Sequence, residues 1–414
     1  MKKRQCPLLL SFFFWILIFL PRSSWSQLVL GQYEDEAPFR TWNSFGFATA
    51  PSLGFGDVHF TLALDSSASL SNPALLFLLP KLAFTLNSSF NSASFFKYSL
   101  VNTGVLSTEK NLSHGFYALD FGGFSVRLKN WAFSLSLALV ETYDRPKTKY
   151  EYYFKSNLSY FINLIQRGVL KNMNFSLSRK VFRRLFVGLG FNFIYGDLKR
   201  DVTEKWVDEN ITISDSIIQK FKGFFLNGGL WLELSDKLAA AAVFRTSFTK
   251  KSESQSLLRF SSPSGGTDIK IEASSEDEYK QPFVIGIGAS YTYSHELRVA
   301  SDLAYYNWSK YEVSYFEETK ERNFKDVVKI GVGVEYLSSI SLFNQKFNFP
   351  FRMGISYDPQ PMKVPNSSYF YYSFGIGLHW NKLLLDAGTL IGKESGSGNS
   401  LAARKVVLSL SFQL

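Results

Sequence analysis

The sequence predicts an all-β protein, a transmembrane antiparallel β-barrel of about 14 strands whose lumen is plugged by an N-terminal hatch. Three observations lead to this fold class. Apolar and polar residues alternate over about fourteen segments, very short links between them alternate with long ones, and the chain begins with an export signal. Each of these observations is taken up below in chain order.

The N-terminus has the three parts of a secretory signal peptide. Basic residues at 2–4 precede an apolar run from Pro7 to Leu20, and small residues follow it. This run is too short to span a bilayer comfortably, so we expect residues 1–26 to be removed. Cys6, the only cysteine, leaves with them, and the mature chain then has no disulfide and no thiol nucleophile. Loss of four basic residues lowers the formal charge from +10 to +6.

Period-two alternation marks the strands. At the end of the chain, Leu410, Phe412 and Leu414 lie on one face, and Ser409 and Ser411 lie on the other. A strand with one apolar and one polar face suits a wall between lipid and lumen. The predicted strands lie near 81–91, 115–128, 131–143, 171–182, 184–198, 220–234, 238–250, 281–293, 295–308, 324–337, 347–358, 369–380, 383–391 and 404–414.

The links between these strands alternate in length. Very short links occur at 129–130, 183–184, 235–237, 294–295 and 381–382, and the link at 339–346 is only slightly longer. Long polar links occur at 92–114, 144–170, 199–216, 251–280, 309–323, 359–368 and 392–403. Short periplasmic turns and long extracellular loops are typical of an outer-membrane barrel, and an even strand count places both termini on the periplasmic side. A soluble β-sandwich gives no reason for this regularity.

The composition supports a membrane barrel. Aromatic residues make up 17% of the chain, with 41 Phe and 21 Tyr, which suits lipid-facing strands with aromatic girdles. No segment after residue 26 holds eighteen consecutive apolar residues, so helical spans are not expected. The positive charge is spread along the chain without a basic stripe, and nucleic acid is therefore not expected as a partner.

One predicted strand breaks phase. The apolar set is Tyr117, Leu119 and Phe121 before Gly122 and Gly123, but it changes from odd to even positions after them. One extra residue in the ladder would restore the pattern, so we predict a β-bulge at this glycine pair. Two interpretations stay open, a device for curvature and a lateral gap in the wall.

Residues 27–80 precede the first strand and lack a clean strand period, so they are the candidate hatch. The segment contains Gly54 and Gly56 in a stretch of small residues, and then the sequence Asn72, Pro73 and Ala74. These residues resemble the N-terminal hatch of the FadL/TodX family of outer-membrane transporters. The resemblance extends to Leu297–Lys310, with Asn307 in place of the family's acid, and to Pro350–Pro361.

The resemblance implies an outer-membrane channel for passive uptake of hydrophobic molecules, such as long-chain fatty acids or hydrocarbons. Ligand would bind in a pocket, the hatch would rearrange, and the ligand would leave sideways through the wall. We therefore divide the chain into a signal peptide (1–26), a hatch (27–80) and a barrel (81–414). The expected partners are outer-membrane lipid and a hydrophobic small molecule, the chain is expected to be monomeric, and no cofactor or metal is expected.

A fatty acid would need a cation for its carboxylate. Four arginines fall on predicted inward faces, and a guanidinium binds a carboxylate in a bidentate way. These candidates are Arg127, Arg245, Arg298 and Arg352. Alternatively, the same arginines pair with inward acids and fill the lumen, since buried charges are usually paired. The inward acids are Glu233, Asp302, Glu335 and Asp358.

Other functional classes receive less support. The four histidines are scattered, and no Gly-x-Ser-x-Gly elbow, phosphate loop or zinc spacing is present, so we do not expect an enzyme. Two alternatives to uptake remain open, an outer-membrane scaffold or shuttle component of a protein secretion system, and a general porin. A porin predicts steady ion conductance, a scaffold predicts a stable protein partner, and a transporter predicts a bound amphiphile.

Overall fold

The computed structural model describes eleven stretches of the chain. They are residues 45–94, 105–106, 113–154, 157–207, 210–261, 269–315, 318–321, 324–342, 344–363, 366–396 and 402–414. The predicted signal peptide and the first part of the predicted hatch lie outside these residues. None of the helices in these stretches has the length and apolar character needed to cross a membrane.

Twenty strands make up most of the described chain. They are β1 (Leu82–Ser94), β2 (Val105–Leu106), β3 (Ser113–Leu128), β4 (Trp131–Thr142), β5 (Arg145–Phe154), β6 (Asn157–Phe182), β7 (Leu185–Trp206), β8 (Ile211–Glu233), β9 (Leu238–Arg245), β10 (Phe248–Ser261), β11 (Ile269–Gln281), β12 (Val284–Thr292), β13 (Leu297–Tyr306), β14 (Glu312–Tyr315), β15 (Glu318–Glu321), β16 (Val327–Leu342), β17 (Gln345–Pro359), β18 (Ser368–Trp380), β19 (Leu383–Ser395) and β20 (Ala402–Gln413).

These strands form a closed antiparallel barrel of 14 wall strands, as the sequence predicts. Two of the wall strands contain a short break. β9 and β10 are the two halves of one wall strand, and β11 and β12 are the two halves of the next. The strands β2, β5, β14 and β15 belong to the long loops. The wall closes where β1 pairs with β20, from Ala83 opposite Gln413 to Ala93 opposite Ala403. Each predicted strand segment overlaps one of the fourteen wall strands.

The outer face of the barrel is apolar. In β18, Phe370, Tyr372 and Phe374 are exposed on the outside, whereas Tyr371 and Ser373 are buried inside. In β20, Leu408, Leu410 and Phe412 are exposed in the same way. Exposed large apolar side chains at every second position are what a wall presents to lipid.

One side of the barrel is much taller than the rest. β6, β7 and β8 have 26, 22 and 23 residues, and β10 and β11 continue the same sheet. A wall strand needs only about 9–11 residues to cross a bilayer, so this sheet extends well beyond the membrane at the end that carries the long loops. The sequence assigned these extensions to loops, because polar residues occur there on both faces.

Residues 45–80, the described part of the predicted hatch and called the hatch below, lie inside the barrel. They contain two short helices, α1 (Ala50–Gly54) and α2 (Ala68–Ser71), a 3₁₀ helix, η1 (Pro73–Leu78), and buried linkers between them. A second 3₁₀ helix, η2 (Trp308–Lys310), follows β13 outside the hatch. α1 packs against β18, β19 and β20, and η1 packs against β6, β7 and β8, so the hatch bridges opposite walls.

Candidate functional site

Asn72 fixes the turn at which the hatch enters η1. Its side-chain Nδ2 donates to the Phe60 carbonyl at 2.8 Å and to the Leu230 carbonyl in β8 at 3.3 Å. Its Oδ1 accepts from the Ala74 amide at 3.1 Å and so caps the 3₁₀ helix. Pro73 then occupies the first position of the helix, where the missing amide costs nothing. One buried amide thus joins two parts of the hatch to the wall.

A row of glycines lets the hatch backbone lie directly against the wall on the other side. A Cβ added to Gly333 of β16 would stand 1.9 Å from the carbonyl oxygen of Phe55, and one on Gly354 of β17 would stand 2.4 Å from the amide nitrogen of Gly56. A Cβ added to Gly388 of β19 would stand 2.6 Å from the carbonyl oxygen of Ala50. Side chains at these wall positions would push the hatch away.

Two glycines of the hatch itself complete this contact. Gly56 has a φ of +84°, which side-chain-bearing residues rarely adopt, and its virtual Cβ lies 2.4 Å from the Val332 carbonyl oxygen. A Cβ added to Gly54 would stand 2.7 Å from the Cα of Gly375 in β18. The glycines that the sequence singles out therefore sit at the closest approach between hatch and wall.

The opposite wall holds the hatch through glycines and polar side chains. Gly188 of β7 leaves room for the backbone of Pro73, and Gly229 of β8 leaves room for the Asn72 amide. In β8, the Nδ2 of Asn227 donates to the Ser69 carbonyl at 3.0 Å. In β6, Ser176 also donates to the Ser69 carbonyl, at 3.1 Å.

Asp302 of β13 holds the middle of the hatch. Its Oδ2 accepts from the backbone amides of His59 at 2.6 Å and Phe60 at 2.9 Å. The ring of His59 is hydrogen-bonded through Nε2 to the Phe45 carbonyl at 2.7 Å. The carboxylate therefore satisfies two buried amides of the hatch, a role that the sequence did not assign to it.

A second carboxyl group lies within the hatch. Burial raises the pKa of Asp65, although the Ser67 amide at 2.8 Å and the Thr49 hydroxyl at 2.6 Å both donate to its oxygens. These hydrogen bonds join the residue before α1 to the turn before α2. They keep two hatch segments together independently of the wall.

Two of the four candidate arginines are paired with acids. Arg352 of β17 is buried, and its guanidinium bonds Glu335 at 2.6 Å and Asp386 at 2.5 Å. Arg298 of β13 binds the same Glu335 at 2.8 Å from the other side. His379 lies 3.1 Å from Asp386. This network fills the lumen on the short-turn side of the hatch, as the alternative interpretation of the arginines expected.

The other two candidates differ from each other. Arg127 of β3 donates to the Phe77 carbonyl at 2.9 Å and lies over the Phe77 ring, so it binds the C-terminal end of η1. Arg245, at the end of β9, has no acid within 4.0 Å among the described residues, and its Nε is buried without a hydrogen-bond partner. Its guanidinium lies 5.9 Å from the Phe225 ring centre.

Arg245 lines a cavity of about 120 Å³ between the hatch and the wall. Phe45 and Phe47 of the hatch form one side, and Phe225 and Phe248, stacked at 4.8 Å, form part of the other. The remaining lining is mixed, and includes Asp120, Leu170, Asn172, Asn192, Ile194, Lys250 and Lys405. This cavity combines aromatic faces with a guanidinium that has no acid partner.

The wall has a gap in its backbone pairing beside this cavity, where the ladder between β3 and β4 stops. β3 and β4 pair from Leu128 opposite Trp131 up to Phe121 opposite Ala138, and the described residues of the two strands make no further ladder contacts. Beyond that point, β3 pairs only with β1, and β4 only with β6. The ladder between β4 and β6 also shifts register at Val140, and Val140 lines the cavity.

The extra residue of β3 lies at Asp120 and not at the predicted glycine pair. Asn87 of β1 faces Phe121, whereas Ser88 faces Leu119. Gly122 and Gly123 stay paired with Leu86 and Thr85, so they do not form the bulge. The inward Asp120 carboxylate accepts from the Asn87 amide at 2.7 Å, which fixes the bulged residue. Gly123 instead leaves room for the Phe121 ring and Ser66 of the hatch.

Together, these features define a class of protein: a plugged transmembrane β-barrel with a cavity beside a gap in its wall. The family model BamG matches residues 65–398, and the chain belongs to the BamG family. No curated protein matches the chain.

Several solved structures share the fold, and they confirm the resemblance to FadL/TodX barrels at that level. A FadL homologue of Pseudomonas aeruginosa has a TM-score of 0.64 at 14% identity, with 89% of this chain and 99% of that chain covered. The toluene transporter TodX of Pseudomonas putida also has 0.64 at 14% identity, with 90% and 99% covered. The toluene transporter TbuX of Ralstonia pickettii has 0.60 at 14% identity, with 90% and 100% covered.

Proposed function

We propose that this protein is an outer-membrane channel for passive entry of small hydrophobic or amphiphilic molecules, which bind beside the hatch and leave through the gap between β3 and β4. Arg245 carries this proposal. A half-buried guanidinium without an acid partner, set against aromatic rings in a cavity, is suited to the carboxylate of an aromatic or other short amphiphile.

The size of the cavity favours a small ligand over a long acyl chain. An apolar cavity of about 150 Å³ is known to hold benzene, and the cavity beside Arg245 is of similar size. A fatty acid of eighteen carbons needs several times this space, so it would enter only after a large movement of the hatch. Monoaromatic acids and hydrocarbons are therefore the proposed substrates, and the toluene transporters named above have the same fold.

The approach to the cavity suits such molecules. The inner face of the tall sheet carries Leu258, Phe260, Ile269 and Ile271 at neighbouring register positions, and three of these four are exposed. An apolar surface at the entrance would collect hydrophobic molecules by area burial, at roughly 25 cal/mol per Å². We place this surface on the extracellular side, because the long loops lie at this end.

Uptake into protein-containing vesicles tests the assignment. We expect labelled benzoate and toluene to enter faster than oleate, and Arg245→Gln to reduce benzoate entry about tenfold while toluene entry is unchanged, because only the carboxylate needs the cation. The matched control is Arg127→Gln, which removes a lumenal guanidinium that does not line the cavity. Equal benzoate entry in wild type and Arg245→Gln would contradict the proposal.

The lateral exit has its own test. Cys6 is the only cysteine and precedes the described barrel, so introduced cysteine pairs can be joined cleanly with a bis-maleimide. Joining Leu119→Cys to Leu139→Cys spans the gap, whereas joining Phe124→Cys to Leu135→Cys bridges two residues already opposite each other. We expect the first link to abolish toluene entry and the second to leave it unchanged. Undiminished entry through the first linked barrel would exclude this exit.

A scaffold role remains the second candidate, because the tall sheet has an unpaired edge. β11 pairs with β14 only from Glu278 to Lys280, and within the described residues its stretch 269–276 has no ladder partner on that side. Exposed strand edges accept a strand from a partner protein. A protein that copurifies with the wild type but not after proline substitution of Ile271 would favour this role.

A further inference from the structure

A basic patch lies on the outer face of the tall sheet, directly above the lipid-facing apolar band. In register across β6, β7 and β8, Lys171 faces Tyr195, and Tyr195 faces Lys222. The next outward positions, two residues nearer the short turns on each strand, are Met173, Phe193 and Phe224, and all three are exposed. The change from apolar to basic side chains therefore occurs within one row.

The height of this change matches a membrane boundary. Tyr195 lies eleven positions beyond the short turn at Arg184, which corresponds to roughly 28 Å along the barrel axis at a strand tilt of about 40°. The apolar band of outer-membrane barrels is about 25 Å tall. The first basic row thus falls where lipid headgroups begin on the long-loop side, and Tyr195 is the aromatic residue expected at that level.

Five cations make up the patch, which we define as Arg167, Lys171, Lys199, Lys220 and Lys222. Lys199 has an ion pair with Asp201 at 3.3 Å, and Lys222 has one with Glu253 at 2.5 Å. Arg167, Lys171 and Lys220 are exposed and have no carboxylate oxygen within 4.0 Å in the described part of the chain. Asp197 and Glu253 stand opposite Lys220 in the ladders, so the acids beside the five cations are Asp197, Asp201 and Glu253. The patch therefore keeps a net positive charge.

Two like-charged pairs stand directly opposite each other in this sheet. Arg167 of β6 faces Lys199 of β7, and Lys222 of β8 faces Lys251 of β10. Glu253 and Glu278 compensate the second pair, because they bind Lys222 and Lys251 respectively, so the first pair is the one that favours an added anion. Like charges directly opposite on neighbouring strands are unfavourable unless an anion lies between them. Neighbouring strands are about 4.8 Å apart, so one phosphate can contact cations on two of them at once.

We propose that this patch binds the phosphates of a phosphorylated glycolipid in the outer leaflet, with the acyl chains of the lipid against Met173, Phe193 and Phe224. Two features favour lipid over a soluble anion. The patch faces away from the lumen, and it is continuous with the apolar band below it. The proposal depends on the outer-membrane location, but it does not depend on uptake or on the ligand of the cavity.

Binding of bis-phosphorylated lipid A to the purified full-length barrel in mixed micelles, followed by native mass spectrometry, tests this proposal. We expect the triple variant Arg167→Gln, Lys171→Gln and Lys220→Gln to bind about tenfold more weakly than wild type. Dephosphorylated lipid A is expected to bind both proteins equally weakly. Heat-modifiable gel mobility confirms that each barrel is folded.

A matched control removes three exposed basic residues elsewhere, through Lys363→Gln, Lys393→Gln and Arg404→Gln. We expect this variant to bind lipid A as wild type does. Equal loss in both triple variants, or equal binding of lipid A with and without phosphates, would overturn the proposal. Displacement of lipid A by a similar concentration of inorganic phosphate would also overturn it, because the patch would then be a site for a free anion.

Discussion

Replacing Gly333 with alanine is expected to displace the hatch and open the lumen. The new Cβ would stand 1.9 Å from the Phe55 carbonyl oxygen, and the obstacle is backbone, which cannot rotate away as a side chain can. Overpacking of this kind costs about 1–3 kcal/mol, and moving the hatch relieves it. We expect low conductance for wild-type protein in planar bilayers and stable, large openings for Gly333→Ala.

The control for this variant is Gly223→Ala. Gly223 is also on the inward face of a wall strand, but its nearest neighbour would be 3.4 Å from the new Cβ, an ordinary contact. Limited proteolysis gives a second measurement, since a displaced hatch exposes the phenylalanines and leucines of residues 45–80 to chymotrypsin. If Gly333→Ala keeps the conductance and protease resistance of wild type, the glycine row does not seat the hatch.

Replacing Arg352 with methionine is expected to give the largest loss of barrel stability. The buried guanidinium bridges Glu335 and Asp386. After its removal, Glu335 still contacts Arg298, and Asp386 still contacts His379. Removing one partner of a buried ion pair typically costs about 3–5 kcal/mol, because the remaining charge loses its compensation, and here Asp386 loses its guanidinium partner. Guanidinium-induced unfolding of the barrel in lipid vesicles measures this difference.

An exposed arginine supplies the comparison. Arg184 pairs with Asp236 at 2.9 Å, but both side chains are largely in solvent. Exposed pairs contribute about 0–1 kcal/mol, so Arg184→Met is expected to change the free energy of unfolding little. Adding Asp386→Asn to Arg352→Met should restore part of the lost stability, because Glu335 keeps Arg298 whereas Asp386 has lost its guanidinium partner. Similar losses for Arg352→Met and Arg184→Met would mean that the lumenal network is not a stabilising element.

The wall of the barrel could be predicted from sequence because each of its strands carries its own signal. Lipid on one side and a filled lumen on the other force large and small residues to alternate, as they do from Phe370 to Phe374. The upper parts of β6, β7 and β8 have no lipid on either face, so this constraint ends there. Their backbones pair as strands, but their side chains do not alternate between apolar and polar. The sequence pattern therefore does not distinguish them from loops.

The site was predictable only in part, because its contacts join distant parts of the chain. The inward position of Arg298 and Arg352 follows from strand phase, and their shared partner Glu335 stands opposite both in the ladder. The short turn between β16 and β17 fixes half of this register and could have indicated the Arg352 pair. The resemblance pointed to Asn72, but no local pattern connects it to Leu230 or connects Asp302 to the amide of His59.

The last strand of the described chain, β20, binds both the hatch and the first strand of the wall. Ser409 of β20 accepts from the Ala50 amide of the hatch at 2.8 Å and donates to Asn87 of β1 at 2.5 Å. Thr85 of β1 contacts Ser411 of β20 at 3.0 Å and accepts from the Ser66 amide of the hatch at 3.3 Å. We therefore expect folding of the hatch and sealing of the cylinder to depend on each other. A chain whose hatch cannot fold is expected to stall as an unsealed sheet during assembly.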